Sequence, residues 1–347
     1  MMMLMMTAAL AGCAGEDEEE GSTLDVILDR GVMWCGVKDS QFGMGYLNAD
    51  GTYSGLDIEY CKAVAAAIGL NPETDVVYKL ATGSNRFDLL ASGEIDVLIR
   101  TTTWTTSRDA DLNADFAGMN FFDGQGILVN MAAHPGAASA LDLNGTSICV
   151  GIGTTTEGNI ADYFAVNGME YTAVNSENAG AAKASFEAGE CAAWTGDMSA
   201  MVAQKWGLDT DAVPASAIMP ELLSKEPLGA ATRDNDDDWN DVVAWVWYGM
   251  ITAEEYGLTM ANHGAADMTL PANDRLLNQN LGLGTEDNPL PIDWMGRVLN
   301  AVGNYGEAYD RSFCDGDGTH SNCLIDRAGT ANDLAANGGL QFAPPMR

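Results

Sequence analysis

Residues 95–116 read IDVLIRTTTWTTSRDADLNADF. The first five, apolar but for Asp96, form a run of strand length. The chain then turns almost wholly polar, and residues 99–108 hold five threonines, one serine and two arginines around a single Trp104. Read as a strand end opening into a helix start, the stretch offers threonine hydroxyls and free backbone N–H groups, because the first turn of a helix leaves its donors without intrahelical partners. Arg108 adds a planar fork that grips a carboxylate through two parallel hydrogen bonds. Recognition of a free α-carboxylate requires these groups together. A threonine-rich cap followed by a solvated arginine fits the same residues, so the surrounding chain has to decide.

Working upstream, VMWCGV at 32–37 has the composition of a short buried strand, and NADG at 48–51 that of a turn. YSGLDIEYCKAVAAAIGL at 53–70 places Ile58, Cys61, Val64, Ala65 and Ile68 at helical spacing. Residues 76–80 read as a second strand, 85–92 as a short helix with Phe87, Leu90 and Ala91 on one side, and 95–99 as a third strand. Strand, helix, strand, helix, strand is the order of a parallel sheet covered on both faces. Ligands of such sheets collect at the carboxyl ends of strands, and the threonine-rich stretch begins at one.

Composition narrows the class. The chain has 347 residues, 47% hydrophobic, with 39 glycines, enough for two α/β lobes with cores of their own. Fifty acidic against 16 basic residues give a net charge of −34. That sign disfavours a nucleic-acid or anionic-membrane partner. The acidic excess is spread along the chain, with denser runs at 16–20 and 234–238, and reads as a solvated surface.

The first 22 residues, MMMLMMTAALAGCAGEDEEEGS, contain an apolar run too short to span a bilayer but long enough for the core of a signal peptide. It ends in LAGC at 10–13, which resembles a lipobox with Cys13 as the lipidated residue, although no Lys or Arg precedes the run. The small, acidic residues that follow have the composition of a tether. Beyond Cys13 six cysteines remain, Cys35, Cys61, Cys149, Cys191, Cys314 and Cys323, an even number that suits disulfides in an exported protein. Six allow fifteen pairings, of which neighbour with neighbour is the simplest. There is no CxxC, and none of the three histidines stands at ligand spacing from a cysteine, so no metal and no cofactor is expected. CDGDGTHSNC at 314–323 has a DGDG but lacks the downstream Glu of a calcium loop, and reads as a disulfide-closed surface loop.

Several separate motifs then occur in one order: NADGTYSGLDIEYCKAVAAAIG, RFDLLASGEIDVLIRTTTWTTSRD, FFDGQGILV, GTTTE at 153–157, SKEPLGAATRDNDDDW at 224–239, VGNYGE at 302–307 and the ending GGLQFAPPMR. Over residues 23–347 the chain resembles the substrate-binding proteins of polar amino-acid ABC transporters, in particular the general L-amino-acid branch. The resemblance implies an α/β, two-lobed, hinged type II periplasmic-binding fold, each lobe a mainly parallel sheet flanked by helices. The expected division is a leader and tether at 1–22, the first part of lobe one at 23–123, lobe two at 124–230, and a return to lobe one with a C-terminal extension at 231–347. The first crossing is expected at 122–126 and the return at 229–232. The helix at 238–248 presents Trp239, Val242, Val243, Val246 and Trp247 as packing, and the polar segment 262–291 is expected to decorate lobe one.

Carried over residue by residue, the resemblance implies that Arg108 holds the α-carboxylate, helped by Thr103 and by groups around Thr101 and Thr155, and that Asp197 takes the α-ammonium. An Asp at a strand end also fits a plain helix cap. Where many members carry an acidic and an aromatic residue after the first strand, this chain has KDSQF at 38–42. Lys38 and Arg100 together would favour acidic or amide side chains; Arg100 paired with a neighbouring carboxylate, away from ligand, fits equally. The implied function is a monomeric, exported, non-catalytic receptor that captures an L-amino acid and delivers it to a membrane permease, touching the membrane only through a lipid anchor. The competing readings are a free-standing sensor and an exported dehydratase-like enzyme, which would need a general acid or base aimed into the cleft.

Overall fold

Short apolar runs with alternating or continuous burial give the strands, and amphipathic segments between them give the helices. The computed structural model describes residues 21–347; Cys13 and its lipobox lie outside the described residues. In the first third stand α1 (Thr23–Arg30), β1 (Met33–Val37), β2 (Ser40–Gln41), β3 (Gly45–Leu47), β4 (Tyr53–Ser54), α2 (Leu56–Ala67), β5 (Val76–Leu80), α3 (Arg86–Ala91), β6 (Val97–Thr103), α4 (Thr106–Asp111) and the 17-residue β7 (Ala114–Asn130). The middle of the chain forms β8 (Thr146–Gly151), α5 (Thr155–Val166), β9 (Tyr171–Ser176), α6 (Ala179–Glu187), β10 (Ala193–Asp197), α7 (Met198–Trp206) and β11 (Ser216–Ile218). Then β12 (Lys225–Arg233) leads to α8 (Asp237–Glu255), α9 (Pro271–Asn278), α10 (Trp294–Val302) and α11 (Tyr305–Phe313).

The main sheet runs β5-β1-β6-β12-β7-β10-β8-β9, with β11 added on β7. Each end is parallel, β5-β1-β6 at one and β10-β8-β9 at the other, while β12 and β7 between them are antiparallel, so the sheet is mixed. These two long strands carry the chain between lobes: β12 pairs with β7 from Lys225 opposite Gly124 onward, and β10 takes over β7 at residues 125–129. The period-two alternation of side chains then covers both faces of the second lobe's sheet. Ile127, Val129, Ile148 and Val150 pack on one side with Ile160 and Phe164; Leu128, Cys149 and Trp194 pack on the other with Phe186 and Met201.

Lobe one is larger than its strands require. The helix α2 is buried on nearly every side, beyond the single apolar stripe its spacing predicts, because α10 and α11 pack along it from the C-terminal segment while the sheet covers the opposite face. The segment expected as a polar decoration contributes Leu276, Leu277, Leu283 and Leu290 to the same core. The cysteines pair as neighbours: Cys35 with Cys61, joining β1 to α2; Cys149 with Cys191, joining β8 to the turn before β10; and Cys314 with Cys323.

The threonine-rich stretch departs from expectation. β6 continues through Thr103, so Thr101, Thr102 and Thr103 belong to the strand, and the cap of the short α4 is Thr105, whose hydroxyl accepts from Arg108 N. Between Leu98, opposite Ala231, and Thr102, opposite Gly229, β6 holds three residues against one on β12. This bulge puts Thr101 at φ +42°, a left-handed conformation rare for a residue with a side chain.

Candidate functional site

The carboxyl ends of β1 and β6 in lobe one face those of β8 and β10 in lobe two across a cleft. A cavity of about 100 Å³ lies there, room for several waters or a small ligand. Lys38, Arg100, Thr101, Thr103, Arg108, Thr155 and Asp197 all line it. On a regular strand Arg100 would point away from Thr101 and Thr103. The bulge breaks that alternation and brings all three to one wall.

The charges on these walls are poorly matched by protein partners. Arg108 is buried and donates Nη1 to Thr103 O at 2.9 Å, leaving the rest of its fork unspent among the described residues. Arg100 is buried, donates no hydrogen bond among the described residues, and its Nε has no partner. Asp197 stands at the cap position of α7, yet its side chain does not cap the helix and accepts no hydrogen bond there. The plain cap reading of this residue therefore fails on geometry. Lys38 donates Nζ to Gln41 Oε1 at 2.6 Å.

Sequence reasoning missed Arg86 at the start of α3. It is 2% exposed, lines the same cavity, and spends one hydrogen bond, Nη2 to Gly153 O at 3.3 Å, while its Nε is unpartnered. An arginine opening a helix whose other inward residues are apolar was the available signal. Gln41, 1% exposed, was missed too; its Nε2 reaches Ser199 Oγ at 2.9 Å across the cleft. Thr103 and Thr155 give their hydroxyl protons to Glu226 on β12, at 2.6 and 2.7 Å, a residue that sequence reasoning also passed over.

Burial and crowding shift Lys38, the three arginines and three aspartates in and beside the cleft. Burial, with Arg100 beside it, lowers the Lys38 ammonium to about 8. Burial lowers Arg100 to about 10 despite the attraction of Asp197 and Asp57, and lowers Arg108 as well. Arg86 is pushed well down by burial and by the like charges of Arg100 and Arg108. Burial raises Asp197, partly offset by Lys38, and holds Asp57 at about 6, where the carboxylate accepts from Thr101 N and Asn120 Nδ2. Asp123, on the crossing strand, is raised to about 7 by burial and then by Asp197. Groups held unfavourably in this way concentrate where a ligand supplies the missing counter-charge.

The two lobes touch on both rims of the cleft. On one, Gln204 Nε2 donates to Ser40 O at 2.8 Å and Phe42 stacks on Trp206 with ring centroids 4.8 Å apart. On the other, Gly83 meets Gly153 so closely that a Cβ on Gly83 would stand 2.5 Å from Ile152 O. Among the described residues, Asp310, Cys314 and His320 form a metal-like grouping, but the Cys314 sulfur is in a disulfide and cannot serve as a thiolate.

Two α/β lobes joined by two crossing strands, with unmatched charges of both signs between them, define a receptor for a small charged solute held between the lobes. The sequence pattern of the bacterial extracellular solute-binding proteins, family 3, matches residues 33–262, and this chain belongs to that family. It is 41% identical to a glutamate/glutamine/aspartate/asparagine-binding protein of Rhodobacter capsulatus, over 99% of this chain and 97% of that protein. It is 38% identical to a general L-amino acid-binding periplasmic protein of Rhizobium johnstonii, over 99% of each. Among solved structures, an ABC transporter/periplasmic binding protein from Brucella ovis with glutathione bound is 41% identical, with a TM-score of 0.86 over 94% of this chain and 100% of that one. No helix among the described residues is long and apolar enough to cross a membrane.

Proposed function

We propose that this protein captures an L-amino acid with an acidic or amide side chain in the interlobe cleft and delivers it to the permease of an ABC transporter. One observation carries the choice of side chain: three buried guanidinium groups with unspent donors, Arg86, Arg100 and Arg108, line the same cavity as Asp197, whose carboxylate leaves the helix it stands on uncapped. A simple zwitterion would occupy one cation and one anion. Arg108 for the α-carboxylate and Asp197 for the α-ammonium leave Arg86, Arg100 and Lys38 for a second oxygen-bearing group. The relatives named for glutamate, aspartate and their amides support this reading. Glutathione carries the same glutamyl zwitterion and a second carboxylate, so it belongs in the test. The LAGC at 10–13 supports attachment through Cys13 after export.

The test is calorimetric titration of the purified protein with the twenty L-amino acids and glutathione, alongside Arg108→Ala and Asp197→Ala. Glutamate, aspartate or their amides should bind best, and each variant should lose more than tenfold, since removing one partner of a buried charged contact costs roughly 2–5 kcal/mol. Preference for small apolar amino acids, or unchanged binding in either variant, refutes the assignment. Chemical conversion of any ligand would favour the enzyme reading.

A further inference from the structure

Glu226 lies where β12 returns to lobe one, and it is 1% exposed. Its carboxylate accepts four hydrogen bonds from neutral donors. Oε2 receives Thr103 Oγ1 at 2.6 Å and Thr155 Oγ1 at 2.7 Å; Oε1 receives Asn159 Nδ2 at 2.7 Å and Ser224 Oγ at 2.5 Å. Thr103 ends β6 in lobe one, whereas Thr155 and Asn159 belong to the first turns of α5 in lobe two. One carboxylate therefore joins both lobes at the wall of the cleft.

A hydroxyl owns one proton. Thr103 and Thr155, whose oxygens lie 3.3 Å apart, both spend theirs on Oε2 of Glu226 and so present only lone pairs elsewhere. Both line the cavity. Two such oxygens disfavour a carboxylate and suit an ammonium, and the Glu226 charge is near enough to Asp197 to raise that carboxyl's pKa along with burial. The carry-over from the family resemblance had these hydroxyls assisting Arg108 on the α-carboxylate, and the direction of their protons argues against it.

We propose that Glu226 is a positioning residue for ligand recognition: by taking the hydroxyl protons of Thr103 and Thr155 it turns this interlobe pair into acceptors for the ligand's α-ammonium. The inference rests on reading the cleft as an amino-acid site. It assigns selection of the amino group to a residue outside the cavity lining, on the strand that carries the chain between lobes.

Glu226→Gln tests it by reversing the polarity. Asn159 Nδ2 is a donor only, so it holds the glutamine oxygen at the Oε1 position and leaves the amide N–H₂ facing the two threonines. The hydroxyls must then accept from the amide and turn their protons toward the ligand. The measurement is the ratio of Kd for glutarate, which keeps both carboxylates and lacks the amine, to Kd for L-glutamate, by calorimetry on the full chain. The wild-type ratio should be large, and Glu226→Gln should shrink it at least tenfold. A merely structural Glu226 would weaken both ligands by one factor; that result, or an unchanged ratio, overturns the inference. A wild-type protein that binds neither ligand overturns the reading of the cleft and this inference with it. Should Glu226→Gln fail to fold by circular dichroism, Thr155→Val decides: L-glutamate should weaken at least fivefold with glutarate within twofold, and equal effects on both overturn the assignment.

Discussion

Replacing Arg100 with methionine should stabilise this protein while impairing it. The guanidinium is buried, its Nε has no partner among the described residues, and burial holds its pKa at about 10 against the ordinary 12.5, a value that already includes the attraction of Asp197 and Asp57. Each pKa unit is about 1.4 kcal/mol, so keeping this charge in place costs the folded state roughly 3 kcal/mol at neutral pH. Methionine fills a similar volume without charge. With an unfolding entropy of about 2.1 cal/mol/K per residue, relief of that cost raises Tm by roughly 4 °C for a chain of this size. Binding moves the other way: loss of a charged contact to the ligand's side-chain carboxylate weakens L-glutamate by about 30-fold or more. Thermal unfolding without ligand and calorimetry with L-glutamate read the two signs separately. A variant that melts lower and binds L-glutamate as tightly as wild type would show that Arg100 answers a neighbouring carboxylate rather than ligand, and the charge argument for an acidic substrate would fall.

The pH profile of binding should be a bell with its optimum near pH 7 to 8. Asp123 and Asp197 are both raised, Asp123 to about 7, so the arriving ammonium expels protons as pH falls below that, weakening affinity by up to about tenfold per pH unit; above about 8 the site loses the Lys38 charge. Calorimetry in two buffers of different ionisation enthalpy counts these protons, and a Kd flat from pH 5.5 to 9 would contradict the assignment. The ligand-free protein follows the opposite acid limb: Asp57 and Asp123 hold protons in the folded state that the unfolded chain has released, so their contribution is full below about pH 4 and is lost as pH rises through about 6 to 7. Replacing Cys149 and Cys191 by alanine, which opens a loop of 42 residues, should cost about 4 kcal/mol in urea unfolding, against about 3 kcal/mol for the 9-residue span of Cys314 and Cys323; equal losses at both would show that loop closure is not what the bonds supply. Asn332→Leu removes the amide that both accepts from Phe122 N at 2.8 Å and donates to Phe122 O at 2.9 Å on β7, and exchange of the Phe122 amide should accelerate by about tenfold in hydrogen-exchange mass spectrometry. Unchanged protection there would mean that other contacts seal this edge.

The alternation of strand and helix was legible because each apolar run had the length of its element, and the helix at 238–248 was legible because Trp239, Val242 and Val246 keep helical spacing. The bulge in β6 was not. It depends on how β12 pairs from more than a hundred residues away, and it decides that Arg100 shares a wall with Thr101 and Thr103. Arg86 was hidden for a related reason: its role depends on Gly153 of the other lobe standing within reach. Glu226 looked like one acidic residue among fifty, since three of its four donors, Thr103 on β6 and Thr155 and Asn159 on α5, come from distant parts of the chain. The all-round burial of α2 escaped notice because its cover is supplied by α10 and α11, far along the chain.

A chain with a net charge of −34 presents a problem for an anionic ligand, since its surface repels what its cleft is proposed to hold. Screening shortens that repulsion to about 8 Å at physiological salt, so the decisive charges are those within the cleft. Four of the sixteen basic residues, Lys38, Arg86, Arg100 and Arg108, line one small cavity, and each is held below its ordinary pKa by burial. Their mutual repulsion is a standing cost to the folded protein. A ligand that brings two carboxylates relieves it most fully when the lobes are together, because only then do the cations of lobe one and Asp197 of lobe two surround the same atoms. A ligand shifts a hinge by its differential affinity for the two states. The unfavourable charge stored in the cleft is thus what gives a dicarboxylate more leverage over closure than a neutral amino acid, and selectivity follows from the same residues that lower stability.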